Sequence, residues 1–403
     1  MNNMKRLFAC MAVVVAAAGL AACGSGSGDD SSGSSDEGPI TLGFAIGETG
    51  FMEPYDVPAR TVAEMAVDDI NADGGIDGRE LEIISANTKS KPELAGNAAT
   101  QVISDGADVV VTSCDFDQGS PAAIVAQEAG KLAISTCAAS TAFGPEGIGP
   151  LAFTMATAAP VEGAAMAEWG YNEKGWKTSA TILDDTLEFT KQTTAGFISR
   201  WEEIGGEVLK ETTFKQGDPS IASQINEIKG LDTPPDVLWL SSYMPGEASA
   251  IKQIRAAGLD MPILGDEDLD GDYWKEAVPG VSDVYYATYA SLYGDDSNPE
   301  VNKLLERYKE QEGKLPDTAL FLTGYAMVEA IEKAVANADG STEGTDLQAA
   351  LEEFDNEDLL LPTTFTPEEH ISFKRTLRIM EIQDGKTSLV KEFSPESVPL
   401  PED

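Results

Sequence analysis

One stretch of the sequence, DINADGGIDGRE at residues 69–80, combines oxygen-bearing side chains with the spacing of a metal-binding loop. The oxygen donors are Asp69, Asn71, Asp73, Asp77 and Glu80. Alternating oxygens, a central glycine and a closing carboxylate are the pattern with which an EF-hand loop surrounds one calcium ion. Calcium binding is therefore one function that this stretch could serve.

The neighbouring residues favour a different structure for the same stretch. Gly74 and Gly75 are typical of a helix C-terminus and the turn that follows it. The residues RELEII after Gly78 alternate like a β-strand, whereas an EF-hand needs a second helix at this point. The sequence therefore favours helix, turn and strand, with no metal ion and no cofactor, and it leaves calcium as the alternative.

The sequence contains few of the patterns that catalysis requires. It has one histidine, His370, and neither a GxSxG nucleophile motif nor a phosphate-binding loop. GIGPLA at residues 147–152 matches a dinucleotide-binding spacing, but it precedes a strand-like segment and contains Pro150. We therefore predict that the protein is not an enzyme.

The N-terminus has the composition of an export signal. Lys5 and Arg6 precede the apolar run LFACMAVVVAAAGLAAC, which is too short for a comfortable membrane span. LAAC, which ends at Cys23, resembles the lipobox of bacterial lipoproteins, and this resemblance implies cleavage before Cys23 and lipidation of its thiol. Residues 1–22 would then be a signal peptide. The alternative is an ordinary signal with a chance cysteine at its edge.

Composition and charge limit the partners of the chain. Residues 23–39 are rich in Gly, Ser and Asp and are expected to form a flexible tether between Cys23 and a folded part outside the cytoplasm, on the periplasmic side or the cell surface. The formal net charge of −42 argues against nucleic acid and against a basic surface that binds anionic lipid. We therefore expect a monomer that contacts the membrane through its lipid anchor alone.

Cys114 and Cys137 are the cysteines left for the folded part, because Cys10 lies in the signal and Cys23 is the lipidation site. Each ends an apolar run, ADVVVTSC or KLAISTC, and a helix-like segment separates them. Neighbouring parallel strands would bring the two ends close enough for a disulfide, which forms readily outside the cytoplasm. The alternative is two buried or free thiols.

Strand-like and helix-like segments alternate from residue 40 onwards. ITLGFAI, RELEIISA and ADVVVTS have strand patterns, and ARTVAEMAVDDINA places Val62, Met65, Ala66 and Ile70 on one helical face. A second run of the same kind extends from SATILDD to MPILGDE. The folded part, about 360 residues, exceeds the size that one core usually serves. The sequence predicts an α/β fold with doubly wound parallel sheets in two lobes.

Six segments carry a family likeness: AEMAVDDINADGGIDGRELEI, AQEAGKLAIS, WEEIGGEV, FKQGDPSIASQINEIK, PDVLWLSSY and IRAAGLDMPILGDE. In order and spacing they resemble the type I periplasmic substrate-binding proteins of ABC importers, in particular the group that binds leucine, isoleucine and valine. The likeness covers most of residues 40–390. The resemblance implies two α/β lobes joined by three crossovers, near Thr157, Thr288 and His370.

The same resemblance implies lobe bounds and a ligand site. Lobe 1 would comprise residues 40–157 plus 288–370, and lobe 2 would comprise residues 158–287 plus 371–403. The ligand would bind in the cleft between the lobes, at the carboxyl ends of strands from both. Closure of the cleft would be a hinge motion that an ABC permease, working with its ATPases, recognises.

In the first lobe the resemblance places candidate ligand contacts in three loops. Tyr55 lies where the family has an aromatic residue, and Phe116 lies where a serine would meet a ligand carboxylate. Asp117 or Gln118 could take over that role with a small shift. In STCAAS the backbone amide of Ala138 is available, whereas Ala139 stands at a threonine position and Ser140 follows one residue later.

In the second lobe more residues match the ligand contacts of the family. Tyr243 matches the family tyrosine, and Glu267 matches the acid that pairs with the α-ammonium of the ligand. Asp185 and Phe189 lie where this lobe faces the cleft. Each of these residues also fits a structural alternative: a core or rim aromatic, a helix cap, or one charge of an acidic surface.

These observations together predict a lipid-anchored, extracytoplasmic receptor that captures a small polar metabolite, an amino acid or a related compound, for an ABC importer. Phe116 and Ala139 stand where the family has a serine and a threonine, so the sequence does not decide whether branched-chain amino acids are the ligands. The alternative function is a sensor lipoprotein that reports its ligand to a membrane kinase or chemoreceptor.

Overall fold

The computed structural model describes residues 38–272 and 274–399 of the chain. Within this part, twelve strands form one sheet of five strands and one of seven, and helices cover both sheets. This arrangement confirms the predicted α/β fold with two lobes. The signal peptide, Cys23 and nearly all of the tether lie outside the described residues.

The first sheet is wholly parallel and has the order β2-β1-β3-β4-β5. Its strands are β1 (Ile40–Ile46), β2 (Leu81–Asn87), β3 (Val109–Thr112), β4 (Leu132–Ser135) and β5 (Ala152–Thr154). The helices α1 (Glu53–Ala72), α2 (Pro92–Ser104) and α3 (Phe116–Glu128) connect them. β1, β3 and β4 are buried at every position, which explains why their sequences are continuously apolar instead of alternating.

The second sheet has the order β12-β11-β10-β9-β8-β6-β7. Its strands are β6 (Thr178–Asp184), β7 (Glu207–Phe214), β8 (Val237–Ser241), β9 (Ile263–Gly265), β10 (Val284–Thr288), β11 (Leu377–Gln383) and β12 (Lys386–Phe393). The connecting helices are α4 (Ala159–Trp169), α5 (Glu188–Glu203), α6 (Ala222–Lys229) and α7 (Gly246–Ala256).

The edge of the second sheet departs from the predicted parallel arrangement. β11 is antiparallel to β10, and β12 is antiparallel to β11. Asp384 and Gly385 join β11 to β12 with positive φ angles of 52° and 74°. A two-residue turn with both central φ angles positive closes an antiparallel hairpin, so Asp-Gly at this point fixes the direction of β12.

Three helices between β10 and β11 return to the first sheet. They are α8 (Pro299–Glu312), α9 (Leu322–Asn337) and α10 (Gly344–Leu351), of which α9 packs against α1 and α10 against β4. A Cβ atom at Gly324 of α9 would lie 1.8 Å from the carbonyl oxygen of Ala59, so only glycine allows the α1–α9 approach.

The chain passes between the two sheets in three segments that contact one another. Thr157, which follows β5, pairs with Ser372, which precedes β11. The backbone N–H of Thr157 donates to the hydroxyl of Tyr289, just after β10, at 2.6 Å. The buried guanidinium of Arg375 donates to Thr157 Oγ1 at 3.1 Å and lies over the Tyr289 ring. One cation thus joins all three segments.

The stretch at residues 69–80 forms the end of α1 and a turn that leads into β2, as its neighbours predicted. Asp69 forms an ion pair with Arg307 at 2.6 Å, and the side chain of Asn71 exchanges hydrogen bonds with the backbone of Leu81. In the described part of the chain no group of three or more His, Cys, Asp or Glu side chains is placed to hold a metal ion. Nor does any described helix have the length and apolarity needed to cross a membrane.

Candidate ligand-binding cleft

A cleft lies between the carboxyl ends of strands from both sheets and encloses about 390 Å³, part of it open to solvent. Loops after β1, β3 and β4 form one wall, and loops after β6, β8 and β9 form the other. The edge of a parallel sheet at which strands end is a common place for ligands. The lining residues are Phe51, Met52, Tyr55, Cys114, Asp115, Cys137, Ala139, Leu187, Phe189, Tyr243, Glu267, Asp268 and Leu320.

Asp115 brings one acidic group to the first wall, at the point where β3 passes into α3. Its Oδ1 accepts a hydrogen bond from the backbone N–H of Gln118 at 3.0 Å, so Asp115 is the N-cap of α3. The side chain is 6% exposed. Burial, together with the nearby carboxylate of Asp117, raises the pKa of Asp115 to about 7.

The second wall carries a run of acidic side chains in the turn after β9. Asp266, Glu267 and Asp268 are 0%, 4% and 5% exposed. Asp266 accepts hydrogen bonds from the hydroxyls of Ser241 at 2.5 Å and Thr193 at 3.1 Å, which holds the turn against β8 and α5. Burial raises the pKa values of Glu267 and Asp268 well above their usual range, and neighbouring carboxylates add to the effect.

Glu162 of α4 lies behind Glu267 and is wholly buried. Its Oε2 accepts a hydrogen bond from the backbone N–H of Glu267 at 3.2 Å. Burial raises the pKa of both carboxyls, and their proximity favours a proton on Glu267 that is shared with Glu162. The cleft is thus lined by one acid, Glu267, that is backed by a second, Glu162.

Asp56 in the first turn of α1 satisfies the strand ends of the first wall. Its Oδ2 accepts from the backbone N–H of Gly47 at 2.7 Å and from the hydroxyl of Ser113 at 2.5 Å, and its Oδ1 accepts from the N–H of Cys114 at 2.8 Å. Burial raises the pKa of Asp56 to about 6. The amides at the ends of β1 and β3 therefore already bind a carboxylate of the protein itself.

Four aromatic side chains, those of Phe51, Tyr55, Phe189 and Tyr243, complete the walls. The rings of Phe51 and Tyr243 lie 5.7 Å apart between centroids at an angle of 45°. The hydroxyl of Tyr55, in the first wall, donates to Asp268 Oδ1, in the second, at 2.9 Å. The aromatic rings give the cleft apolar faces beside its acidic groups.

Cys114 and Cys137 form a disulfide in the first wall, with their Cα atoms 4.4 Å apart. The bond joins the loops that follow the neighbouring strands β3 and β4. Of the two alternatives that the sequence left open, the structure contains the bridge. It ties the loop of Asp115 to the loop of Ala139.

Comparison with known proteins identifies the group to which this fold and cleft belong. The model of a family described as periplasmic binding protein matches residues 39–387. The chain belongs to the periplasmic binding protein family. The resemblance that six sequence segments predicted is thereby confirmed.

Relatives of this periplasmic binding protein differ in their ligands. It is 24% identical over 340 residues to the leucine-, isoleucine-, valine-, threonine- and alanine-binding protein of Pseudomonas aeruginosa, covering 84% of this chain and 85% of that one. The branched-chain amino acid transporter substrate-binding protein LivJ of Streptococcus pneumoniae, solved with isoleucine, has a TM-score of 0.72 and 21% identity and covers 87% of this chain and 99% of LivJ. A solute-binding protein of Rhodopseudomonas palustris, solved with 3,4-dihydroxybenzoic acid, has a TM-score of 0.75 and 20% identity, with coverage of 90% and 99%.

The structure brings some of the residues proposed as ligand contacts to the cleft and leaves others outside it. Those that line the cleft are Tyr55, Ala139, Phe189, Tyr243 and Glu267. Those that do not line it are Phe116, Asp117, Gln118, Ala138, Ser140 and Asp185.

Phe116 is displaced from the cleft by the start of α3. Because Asp115 caps the helix, Phe116 is the first helical residue and points to the ring of Phe143, 6.4 Å away in an edge-on contact. Asp115 therefore occupies the place on the cleft that the sequence comparison gave to Phe116. An alignment that is displaced by one residue at a helix terminus produces this difference.

Asp117 and Ser140 contact the second wall instead of the cleft interior. Asp117 Oδ2 accepts from the backbone N–H of Glu188, the first residue of α5, at 2.9 Å. The side chain of Gln192, one turn later, donates to Ser140 Oγ at 3.1 Å and accepts from the N–H of Thr141 at 3.0 Å. These contacts cross from one sheet's loops to the other's and hold the cleft closed.

Ala138, Gln118 and Asp185 have local partners. The N–H of Ala138 donates to Ser135 Oγ at 2.9 Å, and the N–H of Gln118 donates to Asp115. Asp185 Oδ1 lies 3.7 Å from the ammonium of Lys215.

Sequence reasoning missed Asp115 and Asp268 as cleft residues. Asp115 carried a readable signal, because an aspartate directly before a helical pattern and three residues before a glutamine is typical of an N-cap. Asp268 carried none, since it lies in a charge run that is normally exposed. Its burial depends on Tyr55, which is 213 residues away in the chain.

Proposed function

We propose that this periplasmic binding protein is the extracytoplasmic receptor of an ABC importer, and that it captures a small polar metabolite between its lobes for delivery to a permease. The observation that carries the proposal is the set of hydrogen bonds that close the cleft. Tyr55 reaches Asp268, Asp117 reaches Glu188, and Gln192 reaches the loop after β4. Contacts made only when the lobes are together provide a closed state that a permease can recognise.

The walls of the cleft support a small ligand. Its thirteen lining residues come from both lobes and leave only a narrow space between them. Acidic groups in both walls would orient the ligand, and the aromatic rings would exclude water from it. The relatives are named for binding amino acids, which supports a solute receptor and not an enzyme.

The anchoring part of the proposal rests on the sequence. The chain would be held to the outer side of the cell membrane by a lipid on Cys23, and residues 23–39 would let the lobes move beside a permease. The expected active state is a monomer, since one chain contains both walls of the cleft.

A ligand screen on the full-length protein, purified in detergent, tests the proposal. A receptor is stabilised by its solute by about 2.7 kcal/mol at a hundredfold excess over Kd. The same solute should slow backbone hydrogen exchange in residues 114–118 and 186–192, where the two walls meet. The solute should also be taken up by cells that carry the gene and lost from uptake in cells that lack it. Stabilisation without slower exchange in those segments would contradict closure.

Anchoring has its own test. Cells that express the natural chain should hold the protein in the membrane fraction and incorporate labelled fatty acid into it. A Cys23→Ser variant should do neither, whereas a Cys10→Ser variant should do both. Membrane retention of Cys23→Ser without a lipid would show that another segment anchors the chain.

A further inference from the structure

The acidic side chains that line the cleft have no basic counterpart in its lining. Asp115 in one wall and Glu267 and Asp268 in the other are its ionisable acids, and no Lys, Arg or His is found among its described lining residues. We propose that the ligand is a protonated primary or secondary amine that carries no carboxylate, and not a branched-chain amino acid. This inference rests on the proposed function, in that it assigns the solute of the same cleft.

Several donors at the strand ends of the first wall that could receive a ligand carboxylate are already occupied. The amides of Gly47 and Cys114 and the hydroxyl of Ser113 donate to Asp56. The N-terminus of α3, a natural anion site, is capped by Asp115. A carboxylate entering the first wall would have to displace a carboxylate of the protein and then lie beside another.

Arg375 is a buried cation whose donors are bound outside the cleft. Arg375 acts on Glu162 and Glu267 through its charge, yet its guanidinium donates to the carbonyl of Met155 at 2.8 Å and to Thr157 and Thr363 at 3.1 Å. It does not line the cleft. No basic side chain in the lining therefore competes with a ligand cation for the acids in the walls.

The carboxyl groups in the walls of the cleft suit a ligand with N–H donors. Glu267 is 4% exposed and lines the cleft, where its carboxyl group shares a proton with Glu162. A protonated primary amine has three N–H groups to donate, and a buried carboxylate that gains one forms a charge-assisted bond. The faces of the neighbouring aromatic rings also attract a cation, most strongly where water is excluded.

Protons take the place of the amine in the empty cleft. Burial raises the pKa of Asp115 to about 7, with Asp117, Asp56 and, across the cleft, Asp268 as the acids that face it. Tyr243 faces it too and stays neutral, because burial raises the pKa of its phenol to about 12. Binding of a cation should ionise Asp115 and release protons to the solvent.

Three probes with the same isobutyl group separate the charges of the ligand. They are 3-methylbutylamine, leucine and 3-methylbutanoate, to which putrescine is added as an amine with a second cationic end. Titration calorimetry of the full-length protein at pH 7.5 should show binding of at least one of the two amines. Leucine should bind at least tenfold more weakly, and 3-methylbutanoate should not bind. Titrations in buffers of different ionisation enthalpy should show proton release.

Two variants with matched controls locate the effect. Asp115→Asn keeps a residue that caps helices well, and Glu267→Gln keeps the size of the side chain. Each should weaken amine binding at least tenfold. Asp105→Asn and Glu202→Gln make the same changes at exposed positions and should leave the affinity within twofold. Retention of the unfolding midpoint in each variant separates lost binding from lost structure.

The result that overturns the inference is binding of leucine as tightly as either amine, or an amine affinity that neither Asp115→Asn nor Glu267→Gln lowers. Absence of binding by both amines would overturn it as well. Leucine or another solute that binds and slows hydrogen exchange where the walls meet would leave the proposed receptor function standing. Only a cleft that closes on none of the solutes in the screen would contradict both the amine ligand and the receptor function.

Discussion

The hydroxyl of Tyr55 donates a hydrogen bond to Asp268 Oδ1 at 2.9 Å, and this bond joins a helix of the first lobe to a turn of the second across 213 positions of sequence. Both residues line the cleft. Because the two residues belong to different walls, the bond can exist only while the walls are together. Tyr55 is therefore placed to couple ligand binding to closure.

Tyr55→Phe should lower the affinity of whichever solute the cleft binds by about tenfold, because a hydrogen bond to a buried carboxyl contributes about 1.5 kcal/mol. The measurement is titration calorimetry combined with hydrogen exchange at residues 186–192. Tyr325→Phe removes a phenol bonded to Asp69, away from the cleft, and serves as the control. Equal effects of the two changes would show that Tyr55 acts through general stability.

The empty protein should lose stability as the pH rises from about 4 to about 7. Asp56 and Asp115 have pKa values raised to about 6 and about 7 from the usual 3.8, so over this range the folded chain binds more protons than the unfolded chain. Their ionisation therefore favours unfolding, and the loss is complete above about pH 7. Unfolding midpoints across this range measure the effect.

The variant Asp115→Asn measures how much of the pH dependence of stability comes from Asp115. The variant should lose its stability less steeply between about pH 5 and 7 and should be more stable than the natural protein at pH 7.5. Asp105→Asn, at an exposed position, should leave the slope unchanged. If the stability of Asp115→Asn fell with pH as steeply as that of the natural protein, Asp115 would not be the group that titrates.

Reduction of the Cys114–Cys137 disulfide should lower the free energy of unfolding by about 3 kcal/mol, the chain-entropy value for a loop of this length. The thermal midpoint should fall when reductant is added. The double variant Cys114→Ser, Cys137→Ser should already have the lower midpoint and should be insensitive to reductant. A double variant that still responds would place the redox effect at another cysteine.

Gly324→Ala should destabilise the protein by about 1–3 kcal/mol, although alanine is the better helix former, because its Cβ would overlap the backbone of Ala59. Chemical denaturation gives the difference. Gly217→Ala adds a Cβ where nothing lies within 4 Å and should change the stability little. A neutral Gly324→Ala would mean that α1 and α9 can separate without cost.

Much of this fold was determined by local sequence. The alternation of short apolar runs with amphipathic segments predicts a doubly wound α/β chain, because strands covered on both faces must be apolar throughout. Gly74 and Gly75 predict a helix end where the spacing of oxygens alone would suggest calcium. The apolar runs that end at Cys114 and Cys137 place the two thiols at neighbouring strand ends, where the structure joins them.

The cleft depended more on tertiary structure. Tyr55, Tyr243 and Glu267 were found from the sequence because each lies in a loop whose position follows from the strand order. The sequence placed one contact at Phe116, one residue after Asp115, because the end of a helix is set by capping and packing as well as by its pattern. This difference of one residue means that the wall contains an acid where the sequence predicted an apolar side chain.

Tertiary structure alone decided which of the many acids are buried. With 69 Asp and Glu residues in the chain, a run such as residues 266–270 has the composition of a solvated surface. Burial of this run follows from contacts with residues far away in sequence, among them Tyr55 and Glu162. The sequence by itself determined two lobes and a cleft between them, whereas the charge inside the cleft depends on long-range contacts that no local pattern records.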